Sequence, residues 1–342
     1  MNWRMIVATL CFAFLFSAAQ AQTCTPIPTA YTLTDLGTLG GRFASAIAIN
    51  SVGEVTGESE LSTPGSYDPF LWTPTGGMQD LGNLGGSNNC GFAINSAGNV
   101  TGQAEANLST GASHAFLWTS STGMQDLGIL NVNPDSFSLG KGIDDQNRVV
   151  GWEDDPQGTR SLLFANGRIF DLQRRSGESF SSANALNDKG QVVGEGLPDA
   201  VLWTKAKGLT HLGMLAHSTF SQAFGINPSG TIIAGDNDDQ NSNFSAIAWI
   251  LDTSSGTYTI NDLGAGAAFA ANDGCQVVGN SGLFHAFVWT ANEGRVDLNT
   301  LIPPNSGLVL HYAYGINNAG QIVGTAVDSK GNDHAYLLTP VQ

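Results

Sequence analysis

The sequence predicts an all-β chain in which seven copies of one four-stranded unit close into a seven-bladed β-propeller. Three observations predict it. The chain repeats itself at separations of 40 to 49 residues, each repeat carries the same order of strand and turn signals, and one repeat is split between the two ends of the chain.

The period is read from an Ile/Leu-Asn followed by a tight turn, at Asn50, Asn95, Asp144, Asn187, Asn227, Asn272 and Asn317. That residue ends strand A. Strand B follows as Gly-x-Val-x-Gly. Strand C is aromatic, as in Pro69-Phe-Leu-Trp72, His114-Ala-Phe-Leu-Trp118 and His285-Ala-Phe-Val-Trp289. Strand D carries Asp-Leu-Gly or a variant, at Asp35, Asp80, Asp126, Asp171, His211, Asp262 and Asp297. Runs of about five residues with a turn signal every ten or so are the pattern of all-β domains. In strand C, His114, Phe116 and Trp118 share one face and Ala115 and Leu117 the other, so both faces are apolar. A strand sandwiched between two neighbouring sheets satisfies that requirement.

The A–B turn needs a residue with positive φ. Gly53, Gly98, Gly190, Gly230 and Gly320 supply it, and Asn147 is an acceptable substitute. Cys275 is the one residue that contradicts the backbone its position requires. The order of strands at the ends argues for closure. Tyr31 to Gly37 reads as a D strand with no preceding A, B or C, and the strand ending near Thr339 is a C strand with no D after it. The first strand therefore completes the last unit. A solenoid would need polar caps instead.

Residues 1–21 read as a secretory signal: Arg4 precedes the apolar run Ile6–Ala18, and Ala19-Gln20-Ala21 offers a cleavage site. Residues 22–30 read as a linker and 31–342 as a single propeller domain. The expected location is the periplasm or the extracellular space. No later stretch is long and apolar enough to cross a bilayer as a helix. The formal net charge of −16 disfavours nucleic acid and anionic membrane as partners. Beyond the leader the chain keeps Cys24, Cys90 and Cys275, an odd and widely spaced set that is not a disulfide framework, although export permits a bridge.

Taken together, Ile-Asn-x-x-Gly-x-Val-x-Gly, His114-Ala-Phe-Leu-Trp118, Gly123-Met-Gln-Asp-Leu-Gly128 and Asp35-Leu-Gly-Thr-Leu-Gly-Gly41 resemble the HAF repeat of bacterial extracellular proteins. The resemblance spans residues 31–339 and drifts most in the third and fourth units, where Arg160 and Asp199 replace His and Phe164 replaces Trp. It implies secretion and tandem β repeats. It brings no activity and no catalytic residues.

Residues that recur in every unit are read as structural. That covers His114, His285 and His334, the Asp of strand D, and Trp72, Trp118, Trp203, Trp249 and Trp289 as core. There is no Gly-x-Ser-x-Gly elbow, no His-Glu-x-x-His and no phosphate-binding glycine loop. The B–C loops vary in length and hold 14 of the 29 acidic residues. Variable loops on a rigid scaffold are where function usually sits. Two clusters stand out as a candidate binding face: Glu153, Asp154 and Asp155, and Asp236, Asp238 and Asp239. Their oxygens suit Ca²⁺ by ligand type, but the spacing fits no calcium loop; no cofactor is identified. The leading expectation is a secreted, non-enzymatic binding or surface-interaction propeller, monomeric, meeting an extracellular protein or glycan through an acidic loop face. One alternative is a hydrolase or lyase acting on extracellular polysaccharide, with His217, His311 and Asp135 as the least repeat-like candidates for a site at the ring centre. The other is a structural protein of the envelope or matrix.

Overall fold

A computed structural model describes residues 24–107, 111–130, 136–156, 158–172 and 179–341. The expected leader and Asp135 lie outside the described residues. Among these residues the strands pair, always antiparallel, into five four-stranded sheets and one seven-stranded sheet. Unit 1 comprises Gly40–Ile49, Val55–Leu61, Tyr67–Thr73 and Gly77–Asp80, in the order A-B-C-D. Units 2, 3 and 4 repeat that order from Cys90, Phe137 and Phe180. The seven-stranded sheet is units 5 and 6 joined, because the 15-residue strand Thr257–Ala271 serves as D of unit 5 and A of unit 6. Unit 7 is Leu308–Ile316, Ile322–Asp328 and Asp333–Pro340, and its fourth strand is Tyr31–Asp35 from the other end of the chain.

The repeated glycine of strand B has a backbone cause. A Cβ on Gly57, Gly102, Gly151, Gly194, Gly235, Gly279 or Gly324 would lie 1.7–2.1 Å from a carbonyl oxygen of the paired strand A. Beside each of these glycines, strand A carries a β-bulge, so one extra residue is squeezed out of the ladder. The extra residues are Ile47, Phe92, Lys141, Asn184, Phe224, Phe269 and Tyr314.

The A–B turns join one unit to the next. All seven expected turn positions have positive φ, from 58° at Asn147 to 86° at Gly53. Within each turn the Asn Oδ1 accepts backbone N–H groups ahead of it, and its Nδ2 reaches the following unit. Asn50 Nδ2 donates to Asn95 O at 3.1 Å, Asn95 to Asp144 O at 3.0 Å, Asn272 to Asn317 O at 3.0 Å and Asn317 back to Asn50 O at 3.0 Å. Asn187 and Asn227 do the same toward Asn227 and Asn272. The Asp144 side chain has no N–H to give, and among the described residues no such bridge leaves this turn. The side chains of Ser45 and Thr325 also meet, at 2.7 Å, between units 1 and 7.

The core lies between sheets. Ala115, Phe116 and Trp118 are buried, as are Trp203, Trp249 and Trp289; Trp72 is half-buried. The recurrent histidines bond across the sheet: His114 and His334 of strand C, and His285 immediately before strand C of unit 6, meet Asp126, Asp35 and Asp297 of strand D through Nδ1. In unit 4 the pair is reversed, with Asp199 on strand C and His211 on strand D. Residues 24–30 form a strap bound along unit 6: Thr25 N donates to Gly274 O, Ile27 N to Glu293, and Cys24 is disulfide-bonded to Cys275. The bridge explains the anomalous turn residue. Cys275 holds φ 63° where five of the other six units hold glycine and one holds asparagine, because its sulfur anchors the strap.

Candidate functional site

The predicted acidic face is built differently from the expectation. Glu153, Asp155 and Asp236 are buried, while Asp154, Asp238 and Asp239 are half-buried. Glu153 accepts the backbone N–H of Leu130, Asp154 accepts from Thr159 Oγ1, and Asp155 pairs with Arg160. A similar contact recurs: Glu105 accepts from Ser87 N of its D–A connection, and Glu60 from Arg42 N near the start of strand A. Asp239 accepts from the side-chain amide of Asn243 and from the backbone N–H groups of Asn243 and Asn241, which hold its carboxyl below the usual range and keep it charged. Burial, with Asp238 beside it, pushes Asp236 up to about 7. The two clusters sit in units 3 and 5 and do not converge. Among the described residues no group of three or more His, Cys, Asp or Glu side chains is arranged to hold a metal ion. His217 lies on an exposed turn at φ 74°, and His311 is a half-buried bulge residue of unit 7; no hydrogen bond or ion pair links them among the described residues.

The structure brings together a set that sequence reasoning missed. The seven bulge residues project from the free edges of the A strands, and all seven are half-buried. Successive A strands approach backbone to backbone: a Cβ on Gly142 would lie 2.8 Å from Leu186 N, on Gly225 2.4 Å from Phe269 O, and on Gly315 3.3 Å from Ile47 O. Bulge residues of neighbouring units therefore touch. Lys141 Nζ stands 3.8 Å from the centroid of the Phe92 ring, Asn184 donates to Ala223 O, and the Phe224–Phe269 and Phe269–Tyr314 centroids are 5.7 and 5.1 Å apart. Burial lowers the Lys141 pKa and raises those of Glu58 and Cys90, and the three groups lie within electrostatic reach of one another.

From this inner set an aromatic ladder runs outward. Tyr314 stacks on Tyr312 at 5.3 Å with the rings 3° from parallel, and Tyr312 meets Phe284 edge-on at 6.2 Å. Phe284 lies on the B–C loop of unit 6, where it is 57% exposed and Leu283 beside it is 83% exposed. Phe244, the first residue of strand C of unit 5, is also exposed. Phe284 has φ 57°, a conformation that a bulky L residue adopts only under constraint. The available signal was the run Gly282-Leu283-Phe284, which places two large apolar residues side by side in a B–C loop.

No family model matches the chain, and no curated protein matches it. Solved structures do. The extracellular domain of a one component system from B. thetaiotaomicron superposes with a TM-score of 0.52 at 10% identity, covering 91% of this chain and 40% of that one. A puromycin hydrolase superposes at 0.50 and 14% identity, covering 88% and 55%. TolB from Acinetobacter baumannii superposes at 0.48 and 10% identity, covering 88% and 65%. The chain thus spans less than two thirds of the length of each. The likeness is one of fold, and the fold is of the β-propeller type.

Proposed function

We propose that this is an exported, non-enzymatic binding protein of the HAF-repeat kind, a seven-bladed propeller closed by Tyr31–Asp35. Closure is supported by the pairing of that strand with Tyr336–Pro340 and by the return of the asparagine bridges from Asn317 to Asn50. Export is supported by the Cys24–Cys275 disulfide, a bond of oxidising compartments. One observation carries the binding function: the ladder from exposed Leu283 and Phe284 through Tyr312 and Tyr314 to Phe269 and Phe224. Exposed apolar groups braced by half-buried aromatic rings are how interfaces anchor a partner.

The partner is a basic, apolar-bearing segment of another extracellular protein. The apolar centre spans the loops of units 5 and 6. Asp238 and Asp239 flank it on one side and Asp328 and Asp333 on the other; the hydrogen bonds to Asp239 and Asp328 keep both ionised. Burial withdraws Glu153, Asp155 and Asp236 from direct contact. The test is fluorescence anisotropy with a synthetic peptide alternating Lys and Phe, against its Glu/Phe counterpart, with and without Ca²⁺. The Lys peptide binds, binding weakens with salt, and Leu283→Ser/Phe284→Ser weakens it by about tenfold or more, the value for one to two buried apolar side chains. Equal binding of the Glu peptide, or an unchanged affinity in the double variant, refutes the assignment.

A further inference from the structure

A second feature lies on the opposite face, among the A–B and C–D turns. Between units 3 and 4 is a crevice of about 470 Å³, within the usual range for small-molecule sites. Arg148, Lys189 and Lys205 line its polar side, and Leu163, Phe170 and Trp203 its apolar side. Its cations are departures from the repeat. The position of Arg148 is Glu54, Asn99, Gln191, Thr231, Gln276 and Gln321 in the other units, and that of Lys189 is Val52, Ala97, Gln146, Ser229, Gly274 and Ala319. No other unit carries a cation at either position; Arg148 meets Asp144 as Gln191, Gln276 and Gln321 meet their turn asparagines, so the repeat accounts for its Nε contact but not for the ammonium of Lys189. This is also the junction where Asp144 replaces the bridging asparagine. Arg148 Nε donates to its carboxylate at 2.5 Å, leaving the terminal guanidinium nitrogens over Gly190.

Nine of the 13 Lys and Arg residues fall within residues 141–207, in a chain of net charge −16. Lys141 faces Phe92 and Arg160 pairs with Asp155, whereas Arg148, Lys189 and Lys205 share the crevice. Lys189 Nζ uses one N–H on Ser229 O at 2.7 Å and keeps two; Lys205 is exposed. The nearby carboxylates are occupied, Asp144 by Arg148 and Asp188 by the backbone N–H of Asp145. The crevice between units 2 and 3, of about 510 Å³, has one cation, Arg168, and an acid, Asp126, so the charge pattern is not a general property of the junctions.

We propose that the unit 3–unit 4 crevice binds the carboxylated ring of an acidic oligosaccharide. The guanidinium and two ammonium groups hold the carboxylate, and the apolar wall takes the C–H face of the sugar. A bare anion would leave that wall in water. The test is calorimetry on the full exported chain with trigalacturonate, its neutral carboxyl-reduced counterpart, and inorganic phosphate. Trigalacturonate binds saturably and loses affinity with rising salt. Arg148→Gln/Lys189→Ser/Lys205→Gln loses at least tenfold, and Leu283→Ser/Phe284→Ser loses nothing. Lys205→Glu, on an exposed turn, gives the same direction of change where the triple variant fails to fold. Equal binding of the neutral sugar, retention of affinity in Lys205→Glu and the triple variant, or phosphate binding as tightly as trigalacturonate overturns the proposal.

Discussion

The Cys24–Cys275 bridge closes a loop of 251 residues, and its removal can be sized. Loop-closure entropy for that separation gives about 5 kcal/mol of stabilisation through the unfolded chain. Unfolding entropy for a chain of this length is about 0.7 kcal/mol/K, so the loss lowers the melting midpoint by about 7 °C. Cys24→Ser removes the bridge but leaves Cys275 at φ 63°. The left-handed conformation costs a non-glycine residue about 1–2 kcal/mol. Cys24→Ser/Cys275→Gly therefore melts about 2 °C above Cys24→Ser, although it has lost a partly packed side chain. Scanning calorimetry under non-reducing conditions measures all three proteins, and the wild type with reductant should converge on Cys24→Ser. A double variant that melts below the single one refutes the claim that Cys275 tolerates a glycine backbone only for its bond. A Cys24→Ser midpoint within about 2 °C of the wild type refutes the entropic staple.

Two further outcomes follow from burial and from close approach. Asp236, at about 7, binds its proton more tightly folded than unfolded, so its contribution declines as pH rises from about 4 and levels off above about 7. Asp236→Asn should therefore gain stability over the wild type across that window, by up to about 4 kcal/mol, with a constant difference above it; denaturant midpoints from pH 4 to 8 that run parallel would contradict this. Gly151→Ala sets a Cβ 1.7 Å from Leu139 O and should cost more than about 3 kcal/mol, whereas Gly65→Ala, with nothing within 4 Å, should cost about 1 kcal/mol from its positive φ alone; similar chemical midpoints for the two variants would undo the bulge argument.

The repeat, the A-B-C-D order and the split unit were legible because each rests on local chemistry. Asn50-Ser-Val-Gly53 is a turn by its own side chains, and His114 to Trp118 alternates by strand geometry. The site was not legible for two reasons. Strand A reads as a regular strand, since nothing in Phe269 or Tyr314 announces a bulge; the cause lies across the ladder, in Gly279 and Gly324. Loop acidity also misled. Glu60, Glu105 and Glu153 look like a solvent-facing charge pattern, yet each carboxylate is engaged by a backbone N–H of its own unit, and Glu153 is buried. The flag on Cys275 shows the converse. A residue at odds with its backbone pointed to a real constraint, although the partner could not be named from sequence.

The split unit has a mechanical consequence. Tyr31 pairs with Pro340 and Asp35 with Tyr336, and Val341 N donates to Ala30 O, so the two strand ends lie side by side. Tension pulling these ends apart would open the pair one bond at a time, as a zipper, instead of loading the ladder in parallel. The strap alters the line of force. A pull arriving through residues upstream of Cys24 passes into the turn of unit 6 through Cys275, and the Tyr31–Asp35 strand is left unloaded. With the bridge intact, traction on that side is borne by a covalent anchor one unit away from the seam; with the bridge reduced, it falls on the seam itself.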